Sequence, residues 1–183
     1  MGFRICWLAF HDKSRGDVLA DLRLIDTGTH DETNESDMSV ADFPDGWTVL
    51  WLNRFDHPFA EDSSVRLFSK SCTVIVGHVH EGIMFAATEC YRDGAPVWAV
   101  IHDSGEGRYH LETEGEPPPS FASIQAAHIA RQKEADSENV PVDHIHGIAF
   151  AVARTLCAFE YDRWRYDWGQ PHFTAVRHKD QLS

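Results

Sequence analysis

Basic residues are scarce in this chain: 16 Lys and Arg stand against 29 Asp and Glu, a net charge of −13. A surface of that sign repels phosphate backbones and anionic lipid, so neither nucleic acid nor a membrane is the expected partner and a basic protein is. Cysteine is sparse too. Cys6, Cys72, Cys90 and Cys157 form no Cys-x-x-Cys pair and no disulfide framework. Three of them sit inside apolar segments, which suits buried, reduced thiols and a cytoplasmic location. No run approaches the ~20 apolar residues of a membrane span. Ile5 to Phe10 is too short for a signal peptide and is followed at once by His11-Asp12-Lys13. Cys6 occupies the position where a myristoylation signal needs Ser or Thr. Gly-x-Ser-x-Gly is absent, Gly105-Glu106-Gly107 is too short and acidic to cradle phosphate, and no internal repeat occurs.

What is present points to a folded domain. With 43% hydrophobic residues the chain is globular rather than disordered. Its length suits a single domain over 1–168 with a C-terminal tail over 169–183. Residues 72–115 read as an antiparallel meander pivoting on Asp93-Gly94, a two-residue hairpin signal because Gly tolerates the positive φ of a type I′ turn. Strict pairing across that turn sets Cys90 against Val97, Thr88 against Ala99 and Ala86 against Ile101 on one small or apolar face. Phe85, Glu89, Tyr91, Trp98, Val100 and His102 then fall on a wetter face. If Glu81-Gly82 is a second tight turn, Ile75, Gly77 and Val79 join the first face and His78 and His80 the second; a bulge there reverses that parity. Tyr109 to Glu114 makes a fourth strand.

Elsewhere, Phe3 to Phe10 is an interior strand with apolar residues on both sides, and Trp47 to Asn53 alternates as another. Ser14 caps a short helix reaching about Leu24, and Ser63 to Ser69 is a short helix or turn. Ser120 starts a helix to about Asp136. Asp143 caps the strongest one, where Ile145, Ile148, Val152 and Leu156 recur at steps of three and four. Tyr161 to Trp168 alternates aromatic and charged residues, as a last strand or as a segment covering the sheet edge. The fold class expected is α+β, an antiparallel sheet with helices packed on one face.

Residues 26–45 hold seven acids (Asp26, Asp31, Glu32, Glu35, Asp37, Asp42, Asp45) and no Lys or Arg, and read as a solvated acidic loop. Such a one-sided charge run steers a basic partner at high on-rate. Trp98 and Trp164 are the aromatic residues expected to anchor that partner. The expected binding residues are therefore Asp31, Glu32, Glu35, Asp37, Asp42, Trp98 and Trp164. Twelve histidines raise a metal question. His78 and His102 lie about 10 Å apart in the register above, too far to share one ion, and His144 and His146 diverge on a helix. No metal, no cofactor and no catalytic residue is expected. The alternative is a small-ligand- or metal-binding enzyme working on the wet face with His78, His80, Glu89, Trp98 and His102.

Trp7-Leu8-Ala9, Asp45-Gly46-Trp47, Arg92-Asp93-Gly94, Trp98-Ala99-Val100-Ile101-His102-Asp103 and His110-Leu111 ahead of Gly115 and Pro117 resemble a group of small acidic bacterial proteins of unassigned function. The likeness runs through most of residues 3–160 and leaves out His78-Val79-His80. In size and charge the chain resembles immunity proteins, which neutralise a cognate toxin by binding it. The resemblance implies a cytoplasmic protein-binding module of immunity or antitoxin type, not an enzyme.

Overall fold

The strand that is apolar on both sides takes the centre. In the computed structural model, which describes residues 2–182, β1 (Arg4–His11) buries Ile5, Trp7 and Ala9 toward one face and Cys6, Leu8 and Phe10 toward the other. A strand with no wet side needs a covering layer on each face. β1 pairs antiparallel with β4 (Trp47–Leu52) and β5 (Thr73–His80). Beyond β5 the chain runs as the expected meander through β6 (Phe85–Arg92), β7 (Ala95–Asp103) and β8 (Glu112–Gly115). Beyond β4 lie β3 (Met38–Phe43), β9 (Thr174–His178) and β2 (Leu24–His30). The result is one nine-stranded antiparallel sheet in the order β2-β9-β3-β4-β1-β5-β6-β7-β8.

The α+β class holds, but helices cover both faces rather than one. α1 (Arg15–Asp21) and α2 (Asp62–Phe68) lay Val18, Leu19 and Val65 over Leu8, Phe10, Leu50, Val74 and Val76. On the opposite face, α4 (Gly147–Cys157) packs Ile148, Ala149, Val152 and Ala153 over β6 and β7, with α3 (Phe121–Ser137) against it. The small residues of α4 allow a close approach, and the Thr88 hydroxyl donates to the Ala149 carbonyl at 2.8 Å. Leu156, expected on the same stripe, turns toward solvent. Phe159, Tyr161 and Phe173 extend this layer, with Phe159 edge-on to Trp7 at 5.0 Å. The 161–168 segment is thus not a strand: Tyr161 joins this core layer, and Tyr166 and Trp168 stand edge-on to Phe43 at 5.8 and 5.3 Å.

Three further expectations change. The tail over 169–183 contains β9, a strand inside the sheet between β2 and β3. The acidic 26–45 segment is not a loop. β2 and β3 occupy most of it, because Met38 and Val40 serve one apolar face and Ala41 and Phe43 the other, and acids occupy only the turns and outward positions between them. The fourth meander strand is shorter than Tyr109 to Glu114.

The largest correction lies in β7. Asp93 (φ 53°) and Gly94 (φ 75°) form the expected two-residue turn, and Arg92 faces Ala95 and Tyr91 faces Pro96. Cys90 then faces Trp98 instead of Val97, so Val97 is an extra residue, a β-bulge. Pro96 has no N–H to give the ladder, which is why the strand yields there. Every residue after Val97 is rotated to the other face. Trp98, Val100 and His102 go beneath α4 beside Ala86, Thr88 and Cys90, while Ala99 and Ile101 join Glu89 and Ala87.

Candidate partner-binding surface

The bulge takes apart one expected constellation. His78, His80 and Glu89 share a face with Phe85, as expected, but Trp98 and His102 lie on the opposite side of the sheet, Trp98 at 6% exposure and His102 at none. His102 is held from both ends: Nδ1 donates to the His110 carbonyl at 2.7 Å and Nε2 to Asp143 Oδ2 at 3.0 Å. The His110 carbonyl can only accept, and an ionised Asp143 also accepts, so the site favours a ring that donates from both nitrogens, an imidazolium paired with a carboxylate. Burial opposes that charge, but the hydrogen bonds to Asp143 and His110 outweigh it and hold His102 above the ordinary histidine value. Burial likewise pushes Asp143 up, yet His102 and the His146 N–H bring it below the usual carboxylate range. The other Asp143 oxygen accepts the N–H groups of Ile145 and His146 ahead of α4, so the pair ties β7 to the start of that helix. With both nitrogens committed, His102 has none free for acid–base work on a substrate.

The thiols are equally committed to the interior. Burial pushes Cys6 and Cys157 up to about 12 and Cys90 up to about 11, out of the range of a ready thiolate. Among the described residues, no three His, Cys, Asp or Glu side chains gather where one metal ion could sit. Nor is any helix there long and apolar enough to cross a membrane.

The acids of 26–45 do not form one patch. Asp31 is buried at 7% exposure and its two oxygens accept the N–H groups of Glu35 and Ser36, closing the turn between β2 and β3. Asp42 faces Arg15 and the Thr48 hydroxyl. Asp37 lines a recess with Arg54, His57 and His178, and Glu32 faces Gln170 across the sheet end where Trp164, 44% exposed, also stands. Strand alternation and the intervening turn send these side chains in different directions, and Arg15 pairs with both Asp26 and Asp42.

The acids that do converge come from separate parts of the chain. Residues directly opposite in a ladder share a face, and Glu89, Ala99 and Glu114 form one row across β6, β7 and β8. The two glutamates are two strand spacings apart, about 10 Å, with only a methyl group between them. That small floor opens a groove of about 270 Å³, bounded by Asp62 and Arg66 of α2, Tyr91, Pro96, Val97 and Glu114. The Tyr91 hydroxyl lies 2.7 Å from Glu89 Oε2 and 3.0 Å from Asp62 Oδ1. Burial first, then these two carboxylates, hold that hydroxyl protonated well above the usual tyrosine value. It has one proton for two carboxylates. Arg66 donates to the other Asp62 oxygen at 2.7 Å and, ahead of burial, is the main reason Asp62 lies below its usual range. Three carboxylates against one guanidinium leave the groove short of donors and net negative.

No protein-family model, curated protein or solved structure matches this chain.

Sequence reasoning misses the groove because its row depends on the bulge. Pro96 is the available signal, since proline inside a strand marks an edge or a bulge. The rim carries its own constraint. Gly115 lies opposite Trp98 with φ +64°, and a Cβ there would fall 2.0 Å from the Val97 carbonyl. Gly115→Ala should therefore cost about 1–2 kcal/mol through the left-handed backbone alone and loosen the end of β8. Amide exchange at Glu112 to Glu114 should accelerate while β5 and β6 are unaffected; unchanged exchange would mean the glycine is dispensable.

Proposed function

We propose that this chain is a protein-binding module of immunity or antitoxin type, acting by occupation of a cationic surface on another protein rather than by catalysis. The groove over Ala99 carries the proposal: Asp62, Glu89 and Glu114 meet there against the apolar walls of Pro96 and Val97. Lys and Arg side chains bring several N–H donors, no acceptors and a long apolar stem, which is what a donor-poor groove with apolar walls recognises. The remaining negative charge of the chain speeds encounter with such a partner from any direction. Binding is favoured over the enzyme reading because Trp98 and His102, two of its five residues, lie on the covered side of the sheet.

Surface plasmon resonance with immobilised oligolysine tests this charge reading. Replacing Glu89, Glu114 and Glu112, which faces Ile101 on the same side of the sheet, with Gln should slow association about tenfold and flatten its salt dependence, because screened long-range attraction sets the on-rate. Replacing Glu32, Glu35, Asp37 and Asp42 with their amides removes four charges, one more than in the groove variant, yet should slow it by less than about half as much, since those acids are dispersed. If the second variant loses as much as the first, net charge alone drives binding and the groove is no site.

A further inference from the structure

The two edges of the sheet are finished differently. At the β2 edge the chain consumes its own backbone donors: Asp26 Oδ1 accepts the Gly28 N–H at 2.9 Å and Thr27 Oγ1 accepts the Thr29 N–H at 3.2 Å. A register shift between Asp26 and His30 also breaks the line of that strand. Self-capping and irregularity of this kind blunt an edge against further pairing. β8 has neither device. Its four residues are all exposed and regularly paired to β7. Among the described residues, no backbone or side-chain hydrogen bond reaches Glu112 to Gly115 from outside that ladder.

What β8 carries instead is charge. Glu112 and Glu114 pair with Ile101 and Ala99 and so stand on the groove face, and Glu116 follows before Pro117. A second copy pairing antiparallel through β8 with the glutamate faces matched would set Glu112 against Glu114, and like charges directly opposite destabilise a ladder. An extended segment with cations at alternate positions meets the opposite situation. Its outward N–H and C=O groups find the open β8 backbone, and its Lys or Arg side chains fall on the groove face beside Glu112 and Glu114.

We propose that β8 receives an extended segment of the basic partner as a tenth strand, with Lys or Arg at every second residue directed over the groove. This rests on the reading of the groove as a basic-partner site and adds the backbone to it. Strand addition supplies affinity through main-chain hydrogen bonds and specificity through alternate side chains. Pro117 to Pro119 end the edge, so the added segment is short, matching the four residues of β8.

The test uses the full chain, isotopically labelled, and a blocked hexapeptide of alternating Lys and Thr. Two derivatives carry N-methyl groups, one on all Lys residues and one on all Thr residues. In a strand, the N–H groups of alternate residues point to opposite edges, so only one derivative loses the donors that face β8. The parent should slow amide exchange in β8, one derivative should bind about tenfold more weakly or worse, and the other should bind like the parent. If both derivatives bind as well as the parent, with shifts confined to the groove, side chains alone dock there. Strand addition is then wrong and the groove reading stands. If the parent itself fails to bind at low salt, the groove reading fails and strand addition with it.

Discussion

Asp143→Ala should lower the unfolding free energy by about 3–5 kcal/mol, because it strands the buried His102 imidazolium without its counter-charge. The same change removes the acceptor for the N–H groups of Ile145 and His146, so the start of α4 should fray as well. The loss should depend on pH. His102 is raised above its ordinary 6.5, so its contribution is fully present below about pH 6.5 and fades as pH climbs through the higher folded value. Asp143 is lowered below 3.8, so its contribution is present above about pH 3.8 and fades as pH falls through the lower folded value. The pair is worth most between those limits. Urea denaturation of wild type and variant should therefore differ more near about pH 5.5 than at about pH 9. A penalty that is equal at both, or under about 1 kcal/mol, would mean the pair is not charged in the fold.

Gly77→Ala should be nearly as damaging, for a steric reason. A Cβ at Gly77 would lie 2.1–2.4 Å from three atoms of the Trp7 indole. That ring is buried at 1% exposure on the adjacent strand and packed edge-on against Phe159. An indole wedged in this way has nowhere flexible to go, and overpacking of about 3 kcal/mol is expected. Trp7→Leu makes the room that the added methyl group would need. In a double-mutant cycle, the combined loss should fall short of the summed single losses by about 1 kcal/mol or more. Strictly additive losses would show that the two positions do not compete for space.

These sites differ in how far the sequence reveals them. Alternation places Gly77 correctly on the face of Ile75 and Val79, because β5 is unbroken and the Glu81–Ile83 turn with Met84 preserves parity. Asp143 reads as the helix cap, and its carboxylate does accept the leading N–H groups, yet the same reading puts its partner His102 on the wrong face. One residue, Val97, separates those outcomes: periodicity carries a strand's orientation only as far as the next bulge. The strands β2 and β3 are hidden for another reason. Six or seven residues with polar groups at their outward positions resemble a solvated loop when acids dominate the composition, and Met38 and Val40 are too few to offset that. β9 gives almost no signal, since Thr174 to His178 is half polar and its strand identity comes from the neighbours that flank it.

That last strand has a consequence for the order of assembly. Among the described residues, β9 is the only strand joining β2 to the remainder of the sheet, and residues 174–178 are made long after residues 24–30. On the ribosome, β2 emerges early and must wait, with both edges unpaired, until every other strand has been translated. Pairings between such distant segments close last and slowly. The Asp26 and Thr27 side chains that cap neighbouring N–H groups would then serve as a temporary guard, lowering the chance that a nascent chain recruits a foreign strand before its own arrives.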